Sequence, residues 1–236
     1  MDEFFSRSEA LLGEKTMEAL RTKRVILFGV GGVGSWCAEA LVRTGLSHLT
    51  IVDGDTVQPS NINRQLPATR ATMGMPKVEA LKARLLAINP EADIVAIPEF
   101  YHADNENINC QLSTVNYVID AIDSVNDKTD LIINATRARV KIFSSMGAAL
   151  RFDPTQVTTG ELMTIKGDAL AKAVRARMKK LDVHPYKKVR CVYSTEQAQR
   201  CETRGSLMQV TAVFGLTLAS MVVNDVRRGA DARVNQ

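Results

Sequence analysis

The stretch Lys23-Arg24-Val25-Ile26-Leu27-Phe28-Gly29-Val30-Gly31-Gly32-Val33-Gly34 decides the fold of this 236-residue chain. Its apolar run predicts a buried strand that leads into a glycine turn and then a helix. Gly29, Gly31 and Gly34 fit G-x-G-x-x-G, in which the glycines permit the tight turn, close approach to a phosphate, and close helix–strand packing. A phosphate there would lie against the free N–H groups that begin the helix. The stretch therefore predicts a nucleotide site.

An acidic residue follows this motif at the spacing that a nucleotide site requires. Asp53 ends the apolar run Leu49-Thr50-Ile51-Val52, about 20 residues after the glycine turn. Its carboxylate is placed to accept hydrogen bonds from ribose hydroxyls. The chain then continues as a polar segment over residues 53–65 instead of a helix, since Pro59 interrupts helical hydrogen bonding. We predict that this loop lines the site.

Strands and helices alternate through the first 147 residues. The hydrophobic pattern predicts helices at about 6–22, 33–44, 76–88, 104–113 and 125–138, and strands at 23–28, 49–52, 94–97, 117–121 and 141–145. This alternation predicts an α/β fold with a Rossmann-like, doubly wound and mainly parallel sheet. Ligands of such sheets bind at the carboxyl ends of the strands, where Gly31, Asp53 and Asp123 fall.

The rest of the chain is predicted to extend the same domain. We expect one domain over residues 1–236, with a nucleotide-binding core at about 23–147 and a C-terminal αβ elaboration. The elaboration has a basic part at about 148–204 and a buried helix at about 205–228. Residues 205–224 carry no charge and are long enough to span a bilayer, but their polar residues favour burial against the sheet or in a subunit interface. We therefore expect no stable membrane insertion.

Charge is distributed unevenly along a chain of ordinary composition. With 45% hydrophobic and 24% charged residues, and an acidic start without a signal segment, the sequence is typical of a cytoplasmic protein. The net charge of +4 hides a basic block over residues 137–204, which holds 15 basic and 6 acidic residues. Such a block indicates a polyanionic partner such as RNA, or else a solvated helix face.

The four cysteines, Cys37, Cys110, Cys191 and Cys201, form no C-x-x-C pair. This spacing argues against a zinc site built from cysteines alone. Cys37 and Cys191 fall in a helix and an apolar strand, which favours packing roles. Cys201 lies in a polar stretch and is the candidate for a reactive thiol, although a loop cysteine is more often incidental.

Four residues outside the glycine turn suit a nucleoside triphosphate better than a nicotinamide. Asp53 supplies a ribose contact, while Arg64 and Lys77 supply fixed positive charges. Lys77 stands at the start of a predicted helix, where residues with a structural role are more often acidic. Asp123 supplies an oxygen ligand of the kind that Mg2+ prefers. The set indicates displacement at a phosphate, with charge stabilisation as the main catalytic effect.

Five motifs carry a resemblance to a known superfamily: Gly29-x-Gly-Gly-x-Gly34, Asp53-x-Asp55, Ser60-Asn61-x-x-Arg64-Gln65, Pro76-Lys77-Val78-Glu79 and Asp120-Ala-x-Asp123. Together they resemble the adenylating superfamily of ubiquitin-activating enzymes and the ThiF- and MoeB-like enzymes of the thiamine and molybdopterin pathways. In that superfamily a carboxylate attacks the α-phosphate of ATP, which yields an acyl adenylate and pyrophosphate.

The resemblance implies roles for individual residues. It implies that Asp53 binds ribose, that Arg64 and Lys77 bind phosphates, and that Asp123 binds Mg2+. It further implies a homodimer in which Arg7 reaches the ATP of the neighbouring subunit. Catalytic roles would then belong to Arg7, Arg64, Lys77 and Asp123, and further cofactor contacts to Gly29, Gly31, Gly32, Gly34, Asp55 and Asn61.

Within the superfamily, five segments are similar to the tRNA threonylcarbamoyladenosine dehydratases: Arg7-x-x-x-Leu11-x-Gly13-Glu14, Gly34-Ser35-Trp36, Asp120-Ala121-Ile122-Asp123-Ser124, Asp153-Pro154-Thr155-Gln156 and Tyr193-Ser194-Thr195-Glu196. This resemblance implies that the activated carboxylate belongs to the threonyl group of the modified adenosine in tRNA. The carbamoyl part then closes a ring and expels AMP, so the nucleoside loses one water. The implied cofactors are ATP and Mg2+. The implied partners are the tRNA, a second copy of the chain, and cysteine desulfurase or other sulfur-relay proteins.

Three other functions compete with this interpretation. An activator of a ubiquitin-like or sulfur-carrier protein would use Cys191 or Cys201 as a thioester or persulfide carrier. An NAD-dependent oxidoreductase would explain the glycine turn, but Arg64 and Lys77 disfavour it. A tRNA-binding or sulfur-relay scaffold would keep the fold alone, but the retained Asp123, Lys77 and Arg64 argue against it.

Overall fold

The computed structural model describes residues 3–199, 201–203 and 205–232. Arg200 and Arg204 of the predicted basic part lie outside the described residues. The strands are β1 Arg24–Phe28, β2 His48–Val52, β3 Asp93–Ile97, β4 Tyr117–Asp120, β5 Lys141–Ser145, β6 Val157–Glu161 and β7 Arg190–Ser194. The α-helices are α1 Ser6–Leu12, α2 Glu14–Arg21, α3 Gly34–Thr44, α4 Lys77–Ile88, α5 Glu106–Asn109, α6 Val125–Arg137, α7 Ala169–Lys180 and α8 Met208–Ala232. Short 3-10 helices lie at Glu3–Phe5, Pro59–Asn61, Arg70–Thr72, Cys110–Ser113 and Pro154–Gln156.

The strands form one seven-stranded sheet in the order β3-β2-β1-β4-β5-β7-β6. Neighbouring strands are parallel except β6, which runs antiparallel to β7. The predicted α/β fold with a mainly parallel sheet is therefore confirmed. The strand order reverses between β1 and β4, so their carboxyl ends open a crevice where ligands of such sheets bind.

Both faces of the sheet are covered, which explains the continuous apolar runs of the central strands. Leu27 and Ile119 pack towards the layer formed by α2, α3 and α8. Ile26 and Val118, one residue earlier in each strand, pack towards the layer that holds α6 and α7. Since successive strand residues point to opposite faces, each central strand contributes to both layers.

Two predicted helices differ from the structure. The helix expected over 6–22 is divided into α1 and α2 by Gly13, whose φ of +79° is left-handed and interrupts helical geometry. The helix expected at about 104–113 is a short α5 followed by a 3-10 turn. Gly45 ends α3 with a φ of +110°, as its place in the sequence predicts.

The last helix, α8, is the longest element and packs against α3 and α2. It runs from Met208 to Ala232, a few residues later at each end than the predicted 205–228. By length and composition it could cross a membrane, but 56% of its most apolar stretch is buried inside the protein. Gly215 lets α3 approach closely, because a Cβ there would lie 2.3 Å from the Val33 carbonyl oxygen.

Candidate active site

A cleft of about 510 Å³ opens at the carboxyl ends of β1, β2 and β4. It lies where the strand order reverses, as the sheet topology requires of a ligand site. The cleft brings together nine of the predicted site residues: Gly29, Gly31, Gly32, Asp53, Asp55, Asn61, Arg64, Lys77 and Asp123. Gly34 is buried at the start of α3 behind the turn, and Arg7 lies exposed on α1, away from the residues that line the cleft.

The glycine turn is shaped by close backbone contacts. A Cβ on Gly34 would lie 1.8 Å from the Gly29 carbonyl oxygen, so only glycine permits the turn to close. Gly29 has a φ of +84°, and a Cβ there would lie 2.8 Å from the carbonyl oxygen of Ala121. Gly29 thus lets the end of β1 approach the end of β4, and Gly34 lets α3 begin directly against Gly29. The floor of the cleft is therefore backbone, which lets a phosphate approach the N–H groups.

Asp53 fastens two backbone segments of the cleft with one carboxylate. Its Oδ2 accepts from the Val30 N–H at 2.8 Å, and its Oδ1 accepts from the Asp55 N–H at 2.9 Å. Burial raises the pKa of this carboxyl above its usual value, although Lys77 and the two N–H donors oppose the shift. A carboxylate with free lone pairs facing the cleft is an acceptor for ribose hydroxyls.

Lys77 points into the cleft from the start of α4 and is nearly buried. Its Nζ lies 2.6 Å from Asp55 Oδ2, and the exposed fraction of the side chain is 7% for the lysine and 54% for the aspartate. The polar loop also pairs with Lys77 through its backbone, since the Lys77 N–H donates to the Asp55 carbonyl oxygen at 2.9 Å. The ammonium is therefore held at one position with a single, solvent-accessible carboxylate partner.

Arg64 provides the second cationic group of the cleft. Its Nη1 donates to the Ser60 carbonyl oxygen at 2.9 Å and to Asn63 Oδ1 at 2.8 Å. Among the described residues no carboxylate pairs with this guanidinium, which leaves its charge for a ligand. Trp36 fixes the backbone here, because its Nε1–H donates to the Arg64 carbonyl oxygen at 3.0 Å. Asn61 is buried and accepts from the Gln58 N–H, so it shapes the loop as well as lining the cleft.

Beneath the cleft lies a fully buried ion pair that the sequence did not reveal. Lys128 Nζ is 2.6 Å from Asp120 Oδ2, and both side chains have no exposed surface. The same ammonium donates to the Ser145 carbonyl oxygen at 2.9 Å, and Ser144 Oγ donates to Asp120 at 2.5 Å. Asp120 Oδ1 accepts from the Ile122 N–H at 3.0 Å. The pair thus ties the ends of β4 and β5 to the backbone that leads to Asp123.

The carboxylates of the cleft are consistent with a magnesium ion that a nucleotide shares. Asp123 is exposed at the end of β4 and Asp127 is half-buried at the start of α6; both line the cleft. Among the described residues no group of three histidine, cysteine or acidic residues could hold a metal ion alone. Mg2+ usually takes one or two carboxylates together with phosphate oxygens, so this donor set fits a nucleotide-bound ion.

Sequence reasoning missed several residues of the cleft wall. Phe100 is 55% exposed, and its ring would meet a Cβ on Gly54 at 2.6 Å, so Gly54 leaves room for it. Tyr101 is buried, its ring edge-on to Phe28. Gln65 has a buried Oε1 without a hydrogen-bond partner among the described residues. Phe100 and Tyr101 follow β3 in a loop with no periodic pattern, so the sequence did not single them out. Gln65 stands in the recognised motif that contains Arg64, but no role was predicted for it.

The structure separates the candidate cysteines. Cys191 is buried in β7, and burial raises the pKa of its thiol to about 12. Cys37 is buried in α3, and Cys110 and Cys201 are exposed. A thiol nucleophile must be accessible and readily ionised, so Cys191 does not suit a carrier role.

Part of the basic block makes internal contacts. Arg151 is buried, with its Nη2 2.9 Å from Asp168 Oδ2 and its Nε donating to the Gly147 carbonyl oxygen. Arg175 donates to the Leu162 carbonyl oxygen at 2.8 Å. Arg177 lies 3.3 Å from Asp130. Arg151 and Arg177 are thus paired with carboxylates, so the sequence count overstates the charge that is free for a polyanion, whereas the hydrogen bond of Arg175 is to a neutral group.

Comparison with known proteins agrees with this architecture. The model described as the ThiF family matches residues 5–228. The tRNA threonylcarbamoyladenosine dehydratase of Bacillus subtilis is 38% identical over 192 residues, which cover 81% of this chain and 74% of that protein. A crystal structure of Escherichia coli tRNA N6-threonylcarbamoyladenosine dehydratase in complex with ATP has a TM-score of 0.90 at 35% identity, covering 97% of this chain and 95% of that one. The molybdopterin-synthase adenylyltransferase of Salmonella typhimurium is 35% identical over 136 residues, or 58% of this chain and 53% of that protein.

Proposed function

The chain belongs to the ThiF family, and we propose that it is an ATP-dependent ligase that dehydrates threonylcarbamoyladenosine in tRNA by cyclisation. The observation that carries this proposal is the extent of the likeness to the dehydratase solved with ATP. That structural likeness covers 97% of the chain, including the part after β5. In sequence, the dehydratase of Bacillus subtilis matches 81% of the chain, whereas the adenylyltransferase matches 58%. The part after β5 holds the basic residues that suit an RNA substrate.

In the proposed reaction the threonyl carboxylate attacks the α-phosphate of ATP, and pyrophosphate leaves. The carbamoyl group of the same nucleoside then attacks the activated acyl carbon, and AMP leaves with one oxygen of the original carboxylate. A proton is released from the carbamoyl group, so the nucleoside loses one water in total. Because the attacking group is tethered to the acyl carbon, proximity supplies much of the rate and no cysteine nucleophile is needed.

The residues of the cleft supply binding and charge stabilisation in this scheme. Asp53 would accept from the ribose, and Gly31 and Gly32 would let phosphates reach the backbone of the turn. Lys77 and Arg64 would stabilise the negative charge that develops at the α-phosphate, which is the main catalytic effect in such displacements. Asp123 would hold Mg2+, which neutralises phosphate charge when it is bound.

A second copy of the chain would complete the site. The cleft contains no residue of α1, and we propose that Arg7 reaches the cleft of the neighbouring subunit in a homodimer. Residues 1–236 would form one adenylating domain with its core at 23–147, acting in the cytoplasm. Cysteine desulfurase or other sulfur-relay proteins are proposed as further partners.

The test incubates the protein with ATP, Mg2+ and tRNA that bears threonylcarbamoyladenosine, followed by mass analysis of the nucleosides and identification of the nucleotide product. We expect a nucleoside that is lighter by one water, together with AMP and pyrophosphate. An unchanged nucleoside, or ADP in place of AMP, would overturn the proposal.

A Cys201→Ala variant distinguishes the dehydratase from an activator of a ubiquitin-like or sulfur-carrier protein that uses Cys201 as a carrier. A dehydratase should keep full activity without this thiol. Loss of activity in that variant, with the protein still folded, would favour the alternative.

A further inference from the structure

A second cleft, of about 480 Å³, lies between the carboxy-terminal part of α8 and the strands β5 and β7. We call it the basic groove. Its charged lining is made of five basic residues and one acidic residue: Lys141, Lys188, Arg190, Arg227, Arg228 and Asp225. The basic residues come from three elements that are far apart in the sequence. The fold therefore concentrates positive charge at a place that no single segment of the chain indicates.

The acidic residue of the groove is already engaged. Asp225 Oδ2 and Oδ1 lie 2.7 Å and 2.8 Å from Lys141 Nζ, and Oδ2 also accepts from the Tyr117 hydroxyl at 2.8 Å. These contacts neutralise the charge of Lys141. Of the other four cations, Arg228 is also attracted by Asp225, but none of the four forms an ion pair with it among the described residues.

The remaining four cations, Lys188, Arg190, Arg227 and Arg228, are exposed, and none forms an ion pair within the part of the chain that the structure describes. Arg190 makes a neutral hydrogen bond, from Nη2 to Thr159 Oγ1 at 3.2 Å. A concave surface with four unpaired cations concentrates positive potential and attracts anions.

We propose that the basic groove binds backbone phosphates of the tRNA substrate, an inference that rests on the proposed function. One strand joins the groove to the active site, because Lys141 begins β5 in the groove and Ser145 ends β5 in the nucleotide cleft. The two openings therefore lie at opposite ends of β5, roughly 13 Å apart along the buried strand at about 3.3 Å per residue. A bound RNA has to pass over the surface between them, a longer path that a duplex rising by about 3.4 Å per base pair covers with a stem of more than about four base pairs.

Neither helix-dipole stabilisation nor self-association accounts for the whole basic groove. Cations stabilise a helix dipole within its last turn, but Arg227 and Arg228 lie before the last turn of α8, and Lys188 and Arg190 stand beside and on β7. A second copy of the chain seated here across a two-fold axis would bring two sets of four unpaired cations together, which like-charge repulsion opposes. A polyanion accounts for all four.

The proposal is tested by the affinity of the full chain for tRNA, measured by fluorescence anisotropy without ATP at about 0.1 M salt. The two variants are the pair Lys188→Ala with Arg190→Ala and the pair Arg227→Ala with Arg228→Ala. Each lost phosphate contact should weaken binding about fivefold to tenfold and lower the slope of log affinity against log salt by about one. We expect each pair to bind about 30-fold more weakly while the melting temperature stays unchanged.

The matched control is the pair Lys15→Ala with Lys82→Ala, which removes two positive charges on the helices α2 and α4 and should change affinity less than threefold. A third pair, Lys172→Ala with Lys179→Ala, samples the exposed side of α7. Groove variants that bind tRNA as the wild type does would overturn the proposal. Equal weakening by the α7 pair would also overturn it, because binding would then be spread over the whole basic half.

The same variants distinguish this proposal from the proposed function. At saturating tRNA they should dehydrate the nucleoside at the wild-type rate, with the loss confined to KM. A wild-type protein that binds tRNA but never dehydrates it would refute the proposed function and leave the groove intact. Groove variants that change the subunit mass by light scattering without weakening tRNA binding would mark an interface between copies instead, and would refute the groove proposal.

Discussion

Two lysine–aspartate pairs of equal length serve different purposes in this protein. Lys77 and Asp55 meet at 2.6 Å beside the nucleotide cleft, and Lys128 and Asp120 meet at 2.6 Å beneath it. The first pair has an aspartate that is 54% exposed, whereas neither member of the second has any exposed surface. Distance alone therefore does not tell a binding residue from a structural one.

The difference lies in what else contacts each lysine. Lys128 has Asp120, Ser144 and a carbonyl oxygen around it, so its three donors are satisfied inside the protein. Lys77 has one carboxylate that water also reaches, so a phosphate can replace or share that partner at little cost. Burial and full hydrogen bonding make the lower pair a framework, and partial exposure leaves the upper pair available for a ligand.

The largest effect is expected from breaking the lower pair. Lys128→Ala leaves Asp120 charged and unpaired in the interior, which should lower the free energy of unfolding by about 3–5 kcal/mol. Chemical denaturation monitored by circular dichroism measures this loss. The double variant Lys128→Met with Asp120→Asn removes both charges and should recover most of it. A loss below about 1 kcal/mol in the single variant would mean that the pair is not a framework.

Breaking the upper pair should affect activity and leave stability nearly unchanged. Lys77→Ala removes the cation that we propose stabilises charge at the α-phosphate, so kcat should fall by about 100-fold or more, equal to roughly 3 kcal/mol of transition-state stabilisation. Pyrophosphate release in the presence of tRNA substrate measures it. Lys82→Ala on the same helix is the matched control and should retain activity. An unfolding free energy reduced as much as in Lys128→Ala would contradict the contrast between the pairs.

The upper pair was accessible to sequence reasoning and the lower one was not. Lys77 stands at a helix start where a cation is unusual, and Asp53 follows the glycine turn at a meaningful spacing. Lys128 lies in an amphipathic helix, where a lysine indicates a solvent-facing side, and nothing local shows that α6 points it into the sheet. Contacts across long separations decide such cases.

The same limit explains the basic residues. Counting charges over 137–204 identified a basic half, but the count could not show that Arg151 is buried against Asp168. The charge count also could not show that Arg190 and Arg228 line one groove, because only the packing of α8 against the sheet brings them close together. The fold class could be predicted from local hydrophobic periodicity. The break between α1 and α2 at Gly13 could not, because the helical spacing of apolar residues continues across it.

Asp53, a cleft carboxylate that belongs to neither pair, sharpens the comparison. Burial raises the pKa of Asp53 even though Lys77 and two N–H donors favour its charged form. The folded protein therefore holds the Asp53 proton more tightly than the unfolded chain does. The stability gained in this way is present below the ordinary pKa of about 3.9 and is lost as the pH rises through the raised pKa. The proposed ribose contact, by contrast, needs the ionised carboxylate. ATP affinity should fall as the pH drops through that raised pKa, at higher pH than for an exposed aspartate.

Asp53→Asn should weaken ATP binding about tenfold. A charge-assisted hydrogen bond is worth about 1.5 kcal/mol or more, and the NH2 group of asparagine would face the backbone N–H of Val30 or Asp55, from which it cannot accept. Isothermal titration from acidic to neutral pH measures both effects, because burial raises the pKa of Asp53. The variant should lose the pH dependence that the wild type shows. Equal pH profiles for the two proteins would assign the titration to another group.

The smallest effect is expected for an ion pair whose arginine is exposed and whose carboxylate has a second cationic partner. Glu39 on α3 accepts from both Arg43 and Arg84, so removing one arginine leaves the carboxylate paired. Burial pushes the pKa of Glu39 up, but these hydrogen bonds bring it below its usual value, so the stability it contributes is lost only in acid.

The Arg43 side chain is 57% exposed, and an exposed pair of this kind contributes about 0.5 kcal/mol or less. Arg43→Ala should therefore shift the denaturation midpoint barely at all at neutral pH, whereas the double variant with Arg84→Ala strips Glu39 of both partners and should cost more than the sum of the single changes. Additive losses would show that burial alone, and not the number of remaining partners, separates the framework pair from the others.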